Sequence, residues 1–169
     1  MDARSAQIAT ICECIDHCFV FDVWCNDFAQ AIDPDDLVNG LDRGFDLVSD
    51  ATRLQSFLAL RKLDEFFGGV KAQADDLVAV EFDIDVPSVL EGANSFLSSE
   101  ERTTINKGVT HLTNRLSPDP DSEVDLAAIV KRSIPVFSRL TSALRAQDTG
   151  NEASQWLGST DTLIKRYAR

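Results

Sequence analysis

Side chains suited to proton transfer at neutral pH are scarce: the 169 residues hold two histidines, His17 and His111. His111 lies in Ile105-Asn106-Lys107-Gly108-Val109-Thr110-His111-Leu112-Thr113, a stretch of small and polar residues unlike the rest of the chain. An imidazole titrates near neutrality and suits general acid–base work. Negative charge that develops on a reacting group also needs a donor-rich cation beside it. Arg115 follows His111 by four residues, which puts the two on one face of a helix. Arg102 precedes it by nine, about 180° round an ideal helix, and falls on the opposite side. Two plainer readings compete. In one, His111 is a boundary residue beside the apolar positions 105, 109 and 112; in the other, it is a contact for a partner without chemistry.

The four cysteines, Cys12, Cys14, Cys18 and Cys25, crowd into the first 25 residues around His17. Their C-x-C-x3-C-x6-C spacing lacks the paired C-x2-C knuckles of structural zinc sites. On a helix Cys14, Cys18 and Cys25 fall near one face beside Phe21, as small buried apolar residues do. The expectation is packing, with no metal and no cofactor. The phosphate-binding loops G-x-x-x-x-G-K-[ST] and G-x-G-x-x-G are missing, as are H-E-x-x-H, G-x-S-x-G and the E-x-x-H pair of di-iron bundles. Arg61 and Asp64 read as an i, i+3 ion pair. Arg132 and Arg139 share a face at i, i+7 and give a weak anion-binding cue. Trp24 and Trp156 read as core or dimer anchors.

The elements that must hold these residues are helical. Ile8, Ile11, Cys12, Ile15, Cys18 and Phe19 keep a helical stripe, predicting one long helix from about residue 4 to about residue 30. Asp33-Pro34-Asp35 is a stop-and-restart signal. Leu37, Leu41, Phe45 and Val48 predict a short second helix, and Leu54 to Phe67 a third, closed by Gly68-Gly69. Residues 78–86 alternate like a strand but have no partner, so an extended crossing or loop is expected before Pro87, which turns Val86 away from helix. Ser88 is expected to open a short helix toward Phe96. Ser98-Ser99-Glu100-Glu101 is a capping box, followed by the stripe Ile105, Val109, Leu112, Leu116. Ser117-Pro118-Asp119-Pro120 ends that helix. Asp121 or Ser122 opens the next, with Leu126, Ile129, Val130, Phe137, Leu140 and Leu144 inward and a kink at Pro135. After Gly150-Asn151 a last helix follows, carrying Trp156, Leu157, Leu163, Ile164 and Tyr167. The expected fold is all-α: a single up-and-down bundle of about five to seven helices over residues 1–169.

Composition agrees with a folded, acidic protein, 44% hydrophobic with a formal net charge of −12. Residues 1–97 carry 19 acidic and 6 basic side chains, and residues 98–169 carry 9 and 10. The balance argues against coating duplex DNA or an anionic membrane; an anion such as RNA is expected, if anywhere, on the second half. No apolar run approaches the roughly 20 residues that span a bilayer. Met1-Asp2-Ala3-Arg4 lacks the layout of a secretory signal, so a cytoplasmic location is expected.

Two stretches carry a family resemblance. Ile105 to His111, and Leu58-Ala59-Leu60-Arg61-Lys62-Leu63-Asp64 upstream, resemble the HEPN superfamily, in particular the bacterial HEPN-like proteins related to abortive infection. That family's signature is an arginine, often followed by Asn, Asp or His, and then a histidine four to six residues on. Asn106 and His111 fit the second and last positions, while the arginine position holds Ile105. The resemblance implies an all-α homodimer and metal-independent RNA cleavage through the 2′-hydroxyl, with arginine steadying the phosphate and histidine moving protons. Carried onto this chain, the site is His111, Asn106 and Arg115, with Arg115 or Lys107 of a second subunit as helper. Isoleucine cannot steady a phosphate. The expected function is therefore a HEPN-like protein of the bacterial defence or toxin–antitoxin type with weakened or lost RNase chemistry, acting through RNA or a partner such as a cognate antitoxin. The alternative is an active ribonuclease using His111 as general acid/base.

Overall fold

Helix α1, Ala3–Cys18, starts where Asp2 accepts the Ser5 N–H at 2.8 Å and the Ser5 hydroxyl at 2.9 Å. These contacts satisfy donors that a helix start leaves open. It belongs to a computed structural model that describes residues 2–28, 41–69, 76–112, 125–147 and 150–168, except for the side chains of 41–46, 107, 108 and 110–112. The helix buries Ile8, Ile11, Cys12, Ile15 and Cys18.

The long first helix expected to about residue 30 is interrupted at Phe19. A four-residue helix α2, Val20–Val23, and a π turn, Trp24–Phe28, follow. The cause is a side chain from elsewhere in the chain. In an unbroken helix the Phe21 N–H would bond to the His17 carbonyl. Here the Ser56 hydroxyl stands between them, donating to His17 O at 3.0 Å and accepting from Phe21 N at 3.3 Å. The bend drives Phe19 fully into the core, stacked on Tyr167 and edge-on to Phe137. Ser56 is itself sealed from solvent. Ser56→Ala should therefore cost about 1–3 kcal/mol, because it strands a carbonyl and an amide in the interior. A urea midpoint equal to that of the unaltered chain would show that the wedge is dispensable.

The second and third expected helices are one, α3, Leu41–Gly68. Gly69 closes it at φ +69°, a conformation that suits a residue without Cβ. Asp33-Pro34-Asp35 lies outside the described residues. Among the described residues no strand forms. Ala79–Phe82 make a 3₁₀ turn, with Val78, Phe82 and Ile84 buried and Val80 facing solvent. Val86 is helical after all, in the short α4, Val86–Val89. Pro87 sits in its first turn, where a missing N–H removes no helical bond, and Asp85 is the cap. Ser88 opens no helix toward Phe96. It lies inside α4, and its N–H reaches Asp85.

Helix α5, Ser99–Leu112, opens with the expected capping box. Glu101 N–H donates to Ser98 Oγ at 3.1 Å, and Ser98 N–H donates to the Glu101 carboxylate at 2.7 Å. Leu116 and Ser117-Pro118-Asp119-Pro120 lie outside the described residues, as do Asp121 and Ser122. Helix α6, Leu126–Arg145, begins later than expected and is capped by Asp125, which accepts from Ala128 N at 2.9 Å. All six of its expected inward residues are buried, and Pro135 sits on the exposed side of a helix that continues through it. Helix α7, Asn151–Tyr167, turns Ala153, Leu157, Thr160 and Ile164 inward at spacings of four, three and four. Trp156, read as a core or dimer anchor, is 37% exposed and so is not a core residue; its neighbour Leu157 takes the core position.

The helices form an up-and-down bundle. Helix α1 packs between α3 and α7, α6 lies against α7, and α5 lies against α3. Among the described residues no helix is long and apolar enough to cross a membrane.

Candidate functional site

The capping box and the α3–α5 contact fix where the segment 105–112 lies. Ile105 faces inward, 1% exposed and part of the core. Asn106 is exposed, and Val109 is half-buried against the core. His111 belongs to α5 by its backbone, but its ring and the Lys107 side chain lie outside the described side chains; Arg115 lies outside the described residues. Positions 106 and 111 stand five residues apart, about 140° round a helix axis, so one copy of α5 does not set them on a common face. Of the sequence-predicted site, Asn106 lies on the exposed side of α5, and Ile105 beside it lies in hydrocarbon.

Among the described residues, the guanidinium groups near this helix are engaged in holding the fold. Arg102 grips Asp64 of α3 with two bonds, Nε to Oδ2 at 2.6 Å and Nη2 to Oδ1 at 2.9 Å. The Asp64 Oδ1 also accepts the Leu97 N–H at 3.1 Å. Hydrogen bonding and charge from Asp64 raise the already high Arg102 pKa further. Arg61 pairs with Glu65 at 2.9 Å, not with Asp64 as the sequence suggests. The expected anion-binding pair on α6 is likewise committed. Arg132 binds both Glu101 oxygens and the Phe96 carbonyl. Arg139 binds the Val89 carbonyl and Glu91. These two arginines fasten α6 to the start of α5 and to the connection after α4. Burial alone would push the Glu101 carboxyl up; hydrogen bonds from Arg132 and Ser98 outweigh it and hold the group below its ordinary range.

The cysteines follow the packing expectation in part. Cys12 and Cys18 are core residues, and Cys14 packs against them from the edge. The break at Phe19 interrupts the register that would carry Cys25 onto the same face. Burial pushes the Cys12 thiol up to about 11 and raises the other three, so none is a ready nucleophile at neutral pH. Among the described residues no group of three or more His, Cys, Asp or Glu side chains is arranged to hold a metal. His17 is half-buried, with Nδ1 3.0 Å from Gln55 Nε2.

Sequence reasoning passed over several polar residues in or at the edge of the core, among them the buried Ser56 and Thr160 and the half-buried Asp16. Thr160 was detectable as a hydroxyl on the Ala153–Leu157–Ile164 core stripe, and Asp16 as the residue one turn after Cys12. Ser56 gave no such signal, because the broken bond it fills belongs to α1.

Fold and site together define an all-α, up-and-down helical bundle. Comparison with protein-family models, with curated proteins and with solved structures finds no match to this chain.

Proposed function

We propose that this chain is a HEPN-like helical protein of the bacterial defence or toxin–antitoxin kind, cytoplasmic and homodimeric, that acts by holding a protein partner and does not cut RNA. The observation that carries this reading is Ile105. At the signature's arginine position stands an aliphatic side chain 1% exposed in the core, where no phosphate can reach. Loss of that cation removes the stabilisation of developing phosphate charge that the family's chemistry requires. Arg102, Arg132 and Arg139 support the same conclusion, because each already spends its donors on carboxylates or carbonyls of its own chain. The net charge of −12 favours a protein partner over RNA.

The test uses the full chain with mixed-sequence single-stranded RNA in metal-free buffer. The expected result is cleavage no faster than in buffer, identical for the unaltered chain and His111→Ala. Cleavage that disappears in His111→Ala would overturn the proposal and establish the ribonuclease instead. Retention of RNA without cleavage would replace the protein partner by RNA. Sedimentation at micromolar concentration should give twice the 18.6 kDa chain mass; the monomer mass would remove the homodimer.

A further inference from the structure

Among the described residues, five large apolar side chains stand in solvent, and three of them belong to one end of the bundle: Phe28, 57% exposed, Leu47, 65%, and Val48, 41%. Helix α3 runs back past α1: Cys14 feels the charge of Lys62, His17 meets Gln55, and Phe21 meets Ser56. Carried on at the same rise per residue, this register brings Phe28 within about one turn of Val48. The π turn that ends in Phe28 does touch α3. Val48 stands about two turns before Gln55, on the side of α3 that α1 covers further along. The break at Phe19 ends that cover. Phe28 stacks on Trp24 at 6.2 Å, yet more than half of its surface faces solvent. Apolar residues exposed singly need no explanation; gathered on one surface they mark a site of contact.

The border of this surface is acidic. The sequence from Asp22 to Asp50 holds eight aspartates and a single basic residue, Arg43. Asp22 precedes the π turn, Asp27 lies in it, and Asp50 stands exposed on α3. Burial raises the Asp22 pKa, and the charge of Asp125, the cap of α6, raises it further, so two carboxyl groups meet here. Of the cations that the described contacts bring to this end, Arg166 is held by both Asp27 oxygens at 2.6 Å, and Arg53 lies over the Phe57 ring at 5.7 Å. A second copy of the chain is a poor occupant, because a twofold contact here sets these aspartates against their own copies. An anionic membrane is repelled for the same reason.

We infer that Phe28, Leu47 and Val48, within their aspartate border, are where the chain holds its partner, and that the partner presents a basic amphipathic helix. The inference rests on the protein-partner reading above and adds the surface and its chemistry. The apolar side of such a helix covers the three exposed groups, and its lysines or arginines meet Asp22 and Asp50. Apolar burial supplies the affinity, and opposite charge supplies steering and discrimination.

The probe is a synthetic peptide of leucines and lysines at amphipathic helical spacing, titrated into the nitrogen-labelled full chain and followed by NMR. Amides of Trp24–Phe28 and of 47–50 should shift, and binding should weaken as salt rises. The same peptide with glutamate in place of lysine should not bind. Leu47→Ser combined with Val48→Ser should weaken binding about tenfold, as should Phe28→Ser on the facing element. Val80→Ser removes an equally exposed residue beside the far end of α3 and should leave binding unchanged. No binding, shifts elsewhere on the chain, equal binding of the glutamate peptide, or full affinity in both patch variants would overturn the inference. So would a dimer mass that falls to the monomer mass in the double variant, since a second copy would then be the occupant. These outcomes leave the protein-partner reading standing; that reading falls to RNA cleavage lost in His111→Ala, whatever the peptide does.

Discussion

Ile105→Arg should cost a large share of the fold's stability without producing a ribonuclease. The substitution supplies the arginine that the HEPN signature, which this segment resembles, has in that place, so it is the change that a reading from sequence alone would try first. Position 105 is 1% exposed and lies on the inward stripe of α5. Among the described residues the buried polar side chains are serines and threonines, with no carboxylate to meet a guanidinium, and burying an unpaired charge costs about 3–5 kcal/mol once local relaxation is included. An arginine stem can snorkel toward water, but here it would have to displace core packing to do so. The loss is a large share of the roughly 5–15 kcal/mol that holds an ordinary domain together. Ile105→Val keeps the shape and should cost only about 0.5–1.5 kcal/mol. Urea unfolding followed by circular dichroism separates the two, and the RNA assay is run on the same samples. An Ile105→Arg chain that folds like the unaltered one and cleaves RNA would mean that position 105 faces a catalytic cleft. The non-catalytic proposal would then fail.

What the sequence made legible is what neighbouring residues decide among themselves. The capping box is an i, i+3 exchange between Ser98 and Glu101, and it forms as the pattern predicts. Gly69 ends α3 for a reason internal to one residue, its positive φ. The α6 stripe buries as read, because its apolar side is continuous for five turns. The errors come from interactions between distant segments. Nothing in residues 15–25 announces the break at Phe19, since the hydroxyl that fills it arrives from Ser56, 39 residues beyond His17. Pro87 was read by its effect on the residue before it, whereas Asp85 makes the pair the opening turn of a helix. Of the two roles the sequence offers Trp156, core or dimer anchor, the 153–157–160–164 register removes the core one. At the candidate site the departure at Ile105 was visible, while the reason Arg102 cannot substitute lay 38 residues away at Asp64.

Asp64 therefore yields the other large expected effect. Its side chain is 10% exposed and accepts three N–H bonds, two from Arg102 and one from the Leu97 backbone, so it ties the end of α3 to the entry of α5. Asp64→Ala should cost about 2–3 kcal/mol, because charge-assisted bonds are lost together and the Leu97 amide, next to a fully buried side chain, is left unpaired. Arg102→Ala should cost less, since the carboxylate that remains still accepts the Leu97 amide. Glu65→Ala should cost no more than about 0.5 kcal/mol: both members of the Arg61–Glu65 pair are about half exposed, and such pairs contribute little in water. Urea midpoints for the three variants test the order, and equal losses for Asp64→Ala and Glu65→Ala would refute it. The order also assigns a role to the Leu58–Asp64 run that resembles the HEPN upstream helix. In this chain its acidic end is a post for α5, and the arginine it captures is held away from any phosphate. Asp64→Ala frees that guanidinium, and cleavage should still not appear, because the position beside Asn106 remains isoleucine.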